Sequence, residues 1–186
     1  LMSHCPALIR SLFAGRSLQG TVTCPASESE LHHAAVPTYG YEVVSRLRFD
    51  RANFTQGLEI FDGRLYVSSG LYGESMIRVY DFPSMGKIQA VPVDSRIFAE
   101  GLTVIDNRLV VLSWRERVML LYSLADLSLL GQSALPSQGW GATHSGSTLW
   151  FSDGSHYLYS ADMSGDGQLA RLPVTLEAVS YTHLRA

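Results

Sequence analysis

The chain has 186 residues, of which 46% are hydrophobic, and 14 lysine and arginine residues against 17 aspartate and glutamate residues give a formal net charge of −3. This is the size of one ordinary globular domain. The sequence has no basic cluster for nucleic acid or anionic lipid and no apolar run long enough to cross a bilayer. We therefore predict neither a nucleic-acid partner nor a membrane partner.

Residues 1–40 show no sustained period of two or 3.6 residues, and we interpret them as an irregular N-terminal segment. Cys5 and Cys24 lie in this segment without the spacing of a zinc site or of a disulfide framework. Arg10 and Arg16 interrupt the short apolar runs that a signal peptide would need. Composition therefore leaves the cellular compartment open.

From Tyr41 onward the sequence consists of short β-branched, aromatic and aliphatic runs separated by turn residues, which is typical of many short strands. Asp62-Gly63, Asp106-Asn107 and Ser145-Gly146 stand just before three of these runs, where a hairpin needs residues that tolerate positive φ. The clearest predicted strands are Arg64–Ser68, Met76–Asp81, Arg108–Ser113, Val118–Tyr122, Thr148–Ser152 and Tyr157–Tyr159.

An internal repeat underlies this pattern. Gly57–Ser68 matches Gly101–Leu112 nearly position for position, 44 residues later, and a weaker third copy, Gly141–Ser152, follows after 40 more. Repeats near 40 residues with several strands each predict the blades of an all-β propeller. Residues 41–177 supply only about three blades, whereas closure takes at least about four. We therefore expect an incomplete propeller.

The last residues, 178–186, do not continue the blade pattern. They resemble the translated adapter sequence found at the ends of some assembled reading frames. We interpret this segment as a non-native tail.

A propeller binds its ligand at one mouth of the channel, where the loops that lead into the innermost strands recur in each repeat. The residues at these positions are Phe54, Gln56, Phe98, Glu100 and Trp140, and Trp114 is a candidate to join them. Aromatic rings around one amide and one carboxylate form the usual composition of a small-ligand site. The alternative is that the rings pack between blades and Glu100 is a solvated loop acid. If Glu100 has apolar surroundings, its pKa should be raised toward the range that suits proton transfer.

Six motifs together resemble the glutamine cyclotransferases of the plant and bacterial type. In chain order they are Phe54–Leu58, Ser69–Gly73, Phe98–Leu102, Trp114, Gly139–Gly141 and Ser152–Gly154, and the resemblance covers Tyr41 to Leu172. It implies a five-bladed propeller that converts an N-terminal glutaminyl residue of a peptide or protein into pyroglutamate and releases ammonia. It also implies that no metal or organic cofactor takes part.

Carried over by motif, the resemblance assigns Glu100 as the general acid and base. It assigns the substrate pocket to Phe54, Gln56, Phe98, Trp114 and Trp140. The partner it implies is a peptide or protein with an N-terminal glutamine, bound by a monomer, and the location it implies by analogy is the periplasm or the cell exterior.

The sequence departs from the family pattern at several points. Ala99 stands where glycine is usual, and Phe49-Asp50 replaces a His-Asp pair. Further Asn, Trp and Lys residues that complete the family's pocket have no counterpart in this chain. We therefore expect this polypeptide to be truncated and, as a fragment, inactive.

Two other functions remain open on sequence grounds. A metal-dependent propeller lactonase or related hydrolase would need several Asp, Glu or Asn residues at equivalent repeat positions, where this chain has Gln56, Glu100 and Trp140. A non-catalytic binding propeller would use a broad mouth for a protein partner. His144 and His156 are predicted surface residues, and Asp153 is predicted to belong to a turn.

Overall fold

Short antiparallel strands account for the whole architecture that the computed structural model describes, which covers residues 39–165, 167–176 and 179–180. Among these residues, no helical segment has the length and apolar character needed to cross a membrane. The chain divides into two units, Leu1–Val44 and Ser45–Ala186. In the first unit, residues 39–44 are exposed and form no strand. The predictions for residues 1–38, including both cysteines, and for residues 181–186 lie outside the described residues.

The second unit contains three four-stranded antiparallel sheets, each built from consecutive strands, and one two-stranded sheet. The fold is therefore all-β, with three propeller blades, as the repeat predicted. All six strands predicted from the sequence are confirmed. The strands are β1 (Thr55–Phe61), β2 (Arg64–Ser69), β3 (Met76–Asp81), β4 (Lys87–Pro92), β5 (Ala99–Ile105), β6 (Arg108–Ser113), β7 (Val118–Ser123), β8 (Leu129–Ala134), β9 (Ala142–Ser145), β10 (Thr148–Ser152), β11 (Tyr157–Asp162), β12 (Leu169–Pro173), β13 (Thr175–Leu176) and β14 (Val179–Ser180).

The three repeats correspond to the first hairpin of each blade. In the first two hairpins both turn residues have positive φ, 46° and 69° at Asp62-Gly63 and 49° and 60° at Asp106-Asn107. This is the geometry of the type I′ turn, whose twist matches that of the flanking strands. The third hairpin differs from the predicted Ser145-Gly146 pair. Ser145 pairs with Thr148, so the turn residues are Gly146 and the serine after it, and of these only Gly146 has positive φ.

The hydrophobic core forms on both faces of the middle blade, because successive side chains of a strand point to opposite faces of its sheet. Strand β6 directs Leu109 and Val111 into a cluster shared with the first blade, and Val110 and Leu112 into a cluster shared with the third. All four side chains are completely buried. Because both faces of this sheet are covered, the sequence of β6 is almost continuously apolar rather than alternating.

The innermost strands of neighbouring blades approach more closely than a side chain would allow. A Cβ atom on Gly101 would lie 2.3 Å from the carbonyl oxygen of Trp140, and one on Gly57 would lie 2.5 Å from the backbone nitrogen of Leu102. At this contact the Gly101 N–H donates to the Trp140 carbonyl oxygen at 2.7 Å. The first glycine of each repeat is therefore the point where one blade meets the next.

Replacing Gly101 with alanine should lower the free energy of unfolding by about 2 kcal/mol or more, because the new methyl group would overlap backbone atoms that cannot move independently. The matched control is Gly131→Ala in β8 of the same sheet, where a Cβ would meet nothing within 4 Å. Urea denaturation of the two variants measures the difference. Equal stability of Gly101→Ala and Gly131→Ala would show that the blades do not meet as described.

Candidate active site

Two β-bulges lie at equivalent positions of the first two inner strands. In β1 the pairing passes from Thr55–Ser69 directly to Gly57–Ser68, which leaves Gln56 without a partner. In β5 it passes from Ala99–Ser113 to Leu102–Val111, so that Glu100 and Gly101 together lie opposite Leu112. Bulges turn a side chain away from its regular direction and are frequent beside active sites. The first two repeats thus depart from regular pairing at the residue that the sequence singled out.

Backbone hydrogen bonds fasten the segments before the inner strands, through the same contact in the first two repeats and a different one in the third. Gly70 donates its N–H to the Phe54 carbonyl at 2.9 Å, and Trp114, 44 positions later, donates to the Phe98 carbonyl at 3.1 Å. In the third repeat the Trp140 N–H donates to the Ser152 carbonyl at 2.9 Å. The predicted site residues are therefore held by backbone bonds at the same end of the three hairpins.

Phe98 is the centre of an aromatic cluster. Its ring centroid lies 5.5 Å from those of Tyr72 and Trp114 and 6.3 Å from that of Phe54, in each case edge to face. Such pairs prefer this tilted geometry because the positive ring edge meets the negative face. Phe98 is buried, whereas 51% of Phe54 is exposed. The cluster thus has an interior ring and an accessible rim.

Glu100 follows this cluster by two residues and is half-buried. Burial, followed by the negative charge of Glu116, raises the pKa of Glu100 to about 7. The raised pKa expected from the apolar sequence around Glu100 is therefore confirmed. Its backbone is held from the first blade, because the Ser68 hydroxyl donates to the Glu100 carbonyl oxygen.

Gln56 and Trp140 lie on either side of Glu100, at the equivalent positions of the neighbouring repeats. Both are half-buried. The Trp140 indole N–H donates to the Gln138 side-chain oxygen at 3.2 Å. In the described part of the chain, Trp140 has no ring contact with the Phe98 cluster. Ring contacts thus join Phe54, Phe98 and Trp114. Trp140 is linked to the chain beside Glu100, because its carbonyl oxygen accepts the N–H of Gly101.

The structure adds two residues that the sequence analysis did not select. The Tyr72 hydroxyl donates to one carboxylate oxygen of Glu116 at 2.8 Å, and the Phe98 N–H donates to the other at 3.3 Å. The Glu116 carboxylate also raises the pKa of Tyr72 above its ordinary value. Tyr72 belongs to one of the six motifs, and Glu116 stands 44 positions later, at the equivalent place of the second repeat. Both lie just beyond the aligned segments, which end at Ser68 and Leu112.

The remaining candidates have local roles. Asp153 accepts hydrogen bonds from the backbone and hydroxyl of Ser155, as expected for a turn residue. His144 is exposed at the surface, although its Nδ1 lies 2.8 Å from the Thr103 hydroxyl of the neighbouring blade. His156 is half-buried and lies against the ring of Tyr157, at 4.0 Å between ring centroids. Over the residues that the structure describes, no group of three or more His, Cys, Asp or Glu side chains could hold a metal ion.

A carboxyl group with a pKa of about 7 can both accept and donate a proton near neutral pH. The rings beside it offer apolar surface, and Gln56 offers an amide donor and acceptor. The arrangement therefore suits proton transfer on a small ligand rather than strong binding of an anion.

Comparison with known proteins gives a family and a fold. The family model for glutamine cyclotransferase matches residues 17–184. The glutaminyl-peptide cyclotransferase of Arabidopsis thaliana is 36% identical over 125 residues, which are 65% of this chain and 38% of that protein.

Among solved structures, glutaminyl cyclase from Myxococcus xanthus superimposes with a TM-score of 0.66 at 23% identity, over 76% of this chain and 60% of that one. A protein of unknown function from Bacteroides caccae gives a TM-score of 0.52 at 11% identity, over 64% of this chain and 46% of the other. At these identities the structures support the fold alone. The chain spans less than two thirds of the length of each of these relatives.

The raised pKa of Glu100 predicts how stability changes with pH. Because the folded chain holds this proton up to about pH 7, whereas an unfolded glutamate releases it near pH 4.5, the wild type should lose stability as pH rises through this window. Glu100→Gln, which cannot ionise, should escape that loss and be more stable than the wild type at pH 8 by about 1–3 kcal/mol. Urea denaturation at pH 5 and pH 8 measures this, with the exposed Glu74→Gln as control. A difference that does not grow with pH would contradict a buried, proton-holding Glu100.

Proposed function

Because the chain belongs to the glutamine cyclotransferase family, we propose that its protein closes an N-terminal glutaminyl residue of a peptide or protein into pyroglutamate and releases ammonia. The observation that carries this proposal is the Glu100 carboxyl group, with a pKa of about 7, two residues after a cluster of aromatic rings. A group of this pKa suits a reaction that needs a base in its first half and an acid in its second.

In the first half, the α-amino nitrogen of the substrate attacks the carbon of its own side-chain carboxamide. A carbon–nitrogen bond forms and closes a five-membered ring, and the carboxylate of Glu100 takes the proton that the nitrogen must lose. In the second half, the carbon–nitrogen bond to the former amide nitrogen breaks, and Glu100 returns the proton to the departing ammonia. The reaction consumes no water and no oxidant, and Glu100 ends in its starting state.

Holding the substrate in the attacking geometry is the task proposed for the surrounding side chains. Both reacting groups belong to one residue, so freezing its rotations supplies much of the rate. Phe54, Phe98 and Trp114 offer contiguous ring surface for the methylene groups of the glutaminyl side chain. Gln56 and Trp140, at the neighbouring repeats, flank the carboxylate and complete the proposed pocket. The carboxamide would be oriented by polar groups among these residues.

The proposal is tested by ammonia release and by the mass of the product with a glutamine-initiated peptide. The same peptide with an acetylated α-amine is the substrate control, because it has lost the attacking nitrogen. Both assays are run on the purified chain and on the longest product of its gene. We expect the longest product of the gene to convert the peptide with a free α-amine and to leave the acetylated peptide unchanged.

Glu100→Gln should lower kcat by about 100-fold or more, because the proton acceptor is lost. The exposed Glu74→Gln variant controls for the loss of one carboxylate elsewhere on the protein. Circular dichroism establishes that both variants are folded. Wild-type turnover that a folded Glu100→Gln variant retains, or the absence of turnover in every product of the gene, would overturn the proposal.

A further inference from the structure

The side chain of Glu116 connects two blades near Glu100, and it stands 44 positions after Tyr72, at the equivalent place of the second repeat. Glu116 lies in the turn between β6 and β7, and its carboxylate reaches the loop between β2 and β3 through the hydroxyl of Tyr72 at 2.8 Å. Its second oxygen accepts the N–H of Phe98 at 3.3 Å, one residue before β5 begins. One carboxylate thus ties a loop of the first blade to the start of the inner strand of the second.

Through the N–H of Phe98, Glu116 holds the chain segment that carries Glu100. Phe98 precedes Glu100 by two residues, and its ring contacts Tyr72 on one side and Trp114 on the other. Because the Phe98 N–H and the Tyr72 hydroxyl share one acceptor group, the aromatic cluster and the β5 backbone are fixed together. Moving Glu116 would therefore shift both walls of the pocket at once.

Glu116 also brings a negative charge to a half-buried position. In the described part of the chain it is the charged group that raises the pKa of Glu100, in addition to burial. The neighbouring cation, Arg115, is exposed, and its guanidinium carbon lies 4.0 Å over the ring of Trp114. The pKa of Tyr72 is raised by its hydrogen bond to Glu116, by burial and by the charges of Glu116 and Glu100, and it is lowered by Arg115.

We propose that Glu116 is a positioning residue of the cyclisation site, which fixes the start of β5 through Phe98 and Tyr72 and places a second carboxylate beside Glu100. This inference rests on the proposed function. It assigns Glu116 two separable effects, one made by hydrogen bonds and one made by charge. Glutamine at this position removes the charge but keeps one acceptor oxygen, which can accept the Phe98 N–H while its amide NH2 donates to the Tyr72 hydroxyl oxygen. Alanine removes the charge and both hydrogen bonds.

The charge effect is tested by the pH dependence of kcat/KM with a glutamine-initiated peptide. In Glu116→Gln the acidic limb should move to lower pH by about half a unit or more, because a nearby negative charge no longer opposes ionisation of Glu100. The rate above that limb should fall less in Glu116→Gln than in Glu116→Ala, because glutamine retains an acceptor oxygen for the Phe98 N–H. Glu74→Gln, an exposed carboxylate on the loop that also carries Tyr72, should leave the profile unchanged.

The hydrogen-bond effect is tested by Glu116→Ala and Tyr72→Phe. Above the acidic limb, alanine should lower kcat/KM by about tenfold or more, because a pocket displaced by a fraction of an ångström loses attacking geometry. Tyr72→Phe removes one of the two bonds and should give a smaller loss of the same kind. If Glu116→Gln fails to fold, Tyr72→Phe and Glu116→Ala still test whether the hydrogen bonds of Glu116 position the site.

A readout that needs no turnover separates this inference from the proposed function. In the purified chain labelled with ¹³C at the glutamate carboxyl carbons, the Glu100 signal is identified by its loss in Glu100→Gln and titrated in the wild type and in Glu116→Gln. We expect its midpoint to fall in the variant. An unchanged midpoint would overturn the placement of Glu116 even if cyclisation is observed, and a lowered midpoint in a chain without cyclisation would overturn only the proposed function. A lowered midpoint with an unaltered kcat/KM profile would overturn the positioning role.

Discussion

The close approach of the inner strands at the first glycine of each repeat is the contact on which the site depends. The Gly101 N–H meets the Trp140 carbonyl oxygen at 2.7 Å, and no side chain fits between the two strands. Glu100 is the residue directly before this contact, and its own carbonyl oxygen accepts the Ser68 hydroxyl from the other side. The carboxylate therefore extends from a backbone clamped by both neighbouring blades. A loop of ordinary freedom could not hold with this precision the side chain that we propose transfers the proton.

The raised pKa of Glu100 has a cost in the stability of the folded chain. Burial and the neighbouring Glu116 both disfavour its charged form, so its pKa rises to about 7. The folded chain would be more stable with a neutral side chain at this position when the solution is neutral or basic. Such a cost is typical of functional sites, where the charge needed for the reaction is kept in surroundings that do not favour it. We propose that the rings around Phe98, two residues before Glu100, offer surface to an apolar part of a ligand.

Local patterns made much of the fold predictable. The hairpins could be placed because Asp62-Gly63 and Asp106-Asn107 provide the positive φ values their turns require, and the equivalence of Gln56, Glu100 and Trp140 followed from the repeat. The outer strands β4, β8 and β12 were not predicted, because their mostly exposed residues carry little alternation. The bulges and Glu116 were also missed. A bulge depends on the register between strands. Tyr72 and Glu116 stand at equivalent positions 44 residues apart, but nothing in the sequence indicates that these two side chains bond to each other.

The central claim is that Glu100 faces the α-amine of a glutamine-initiated peptide. The most direct measurement is a crystal structure of the Glu100→Gln variant with such a peptide bound, since slow turnover keeps the substrate intact. We predict that the α-nitrogen lies within about 3 Å of the side-chain oxygen or nitrogen at position 100, with the glutaminyl methylenes against Phe98 and Trp114. A peptide bound at another end of the blades, or with its α-amine directed away from position 100, would contradict the account.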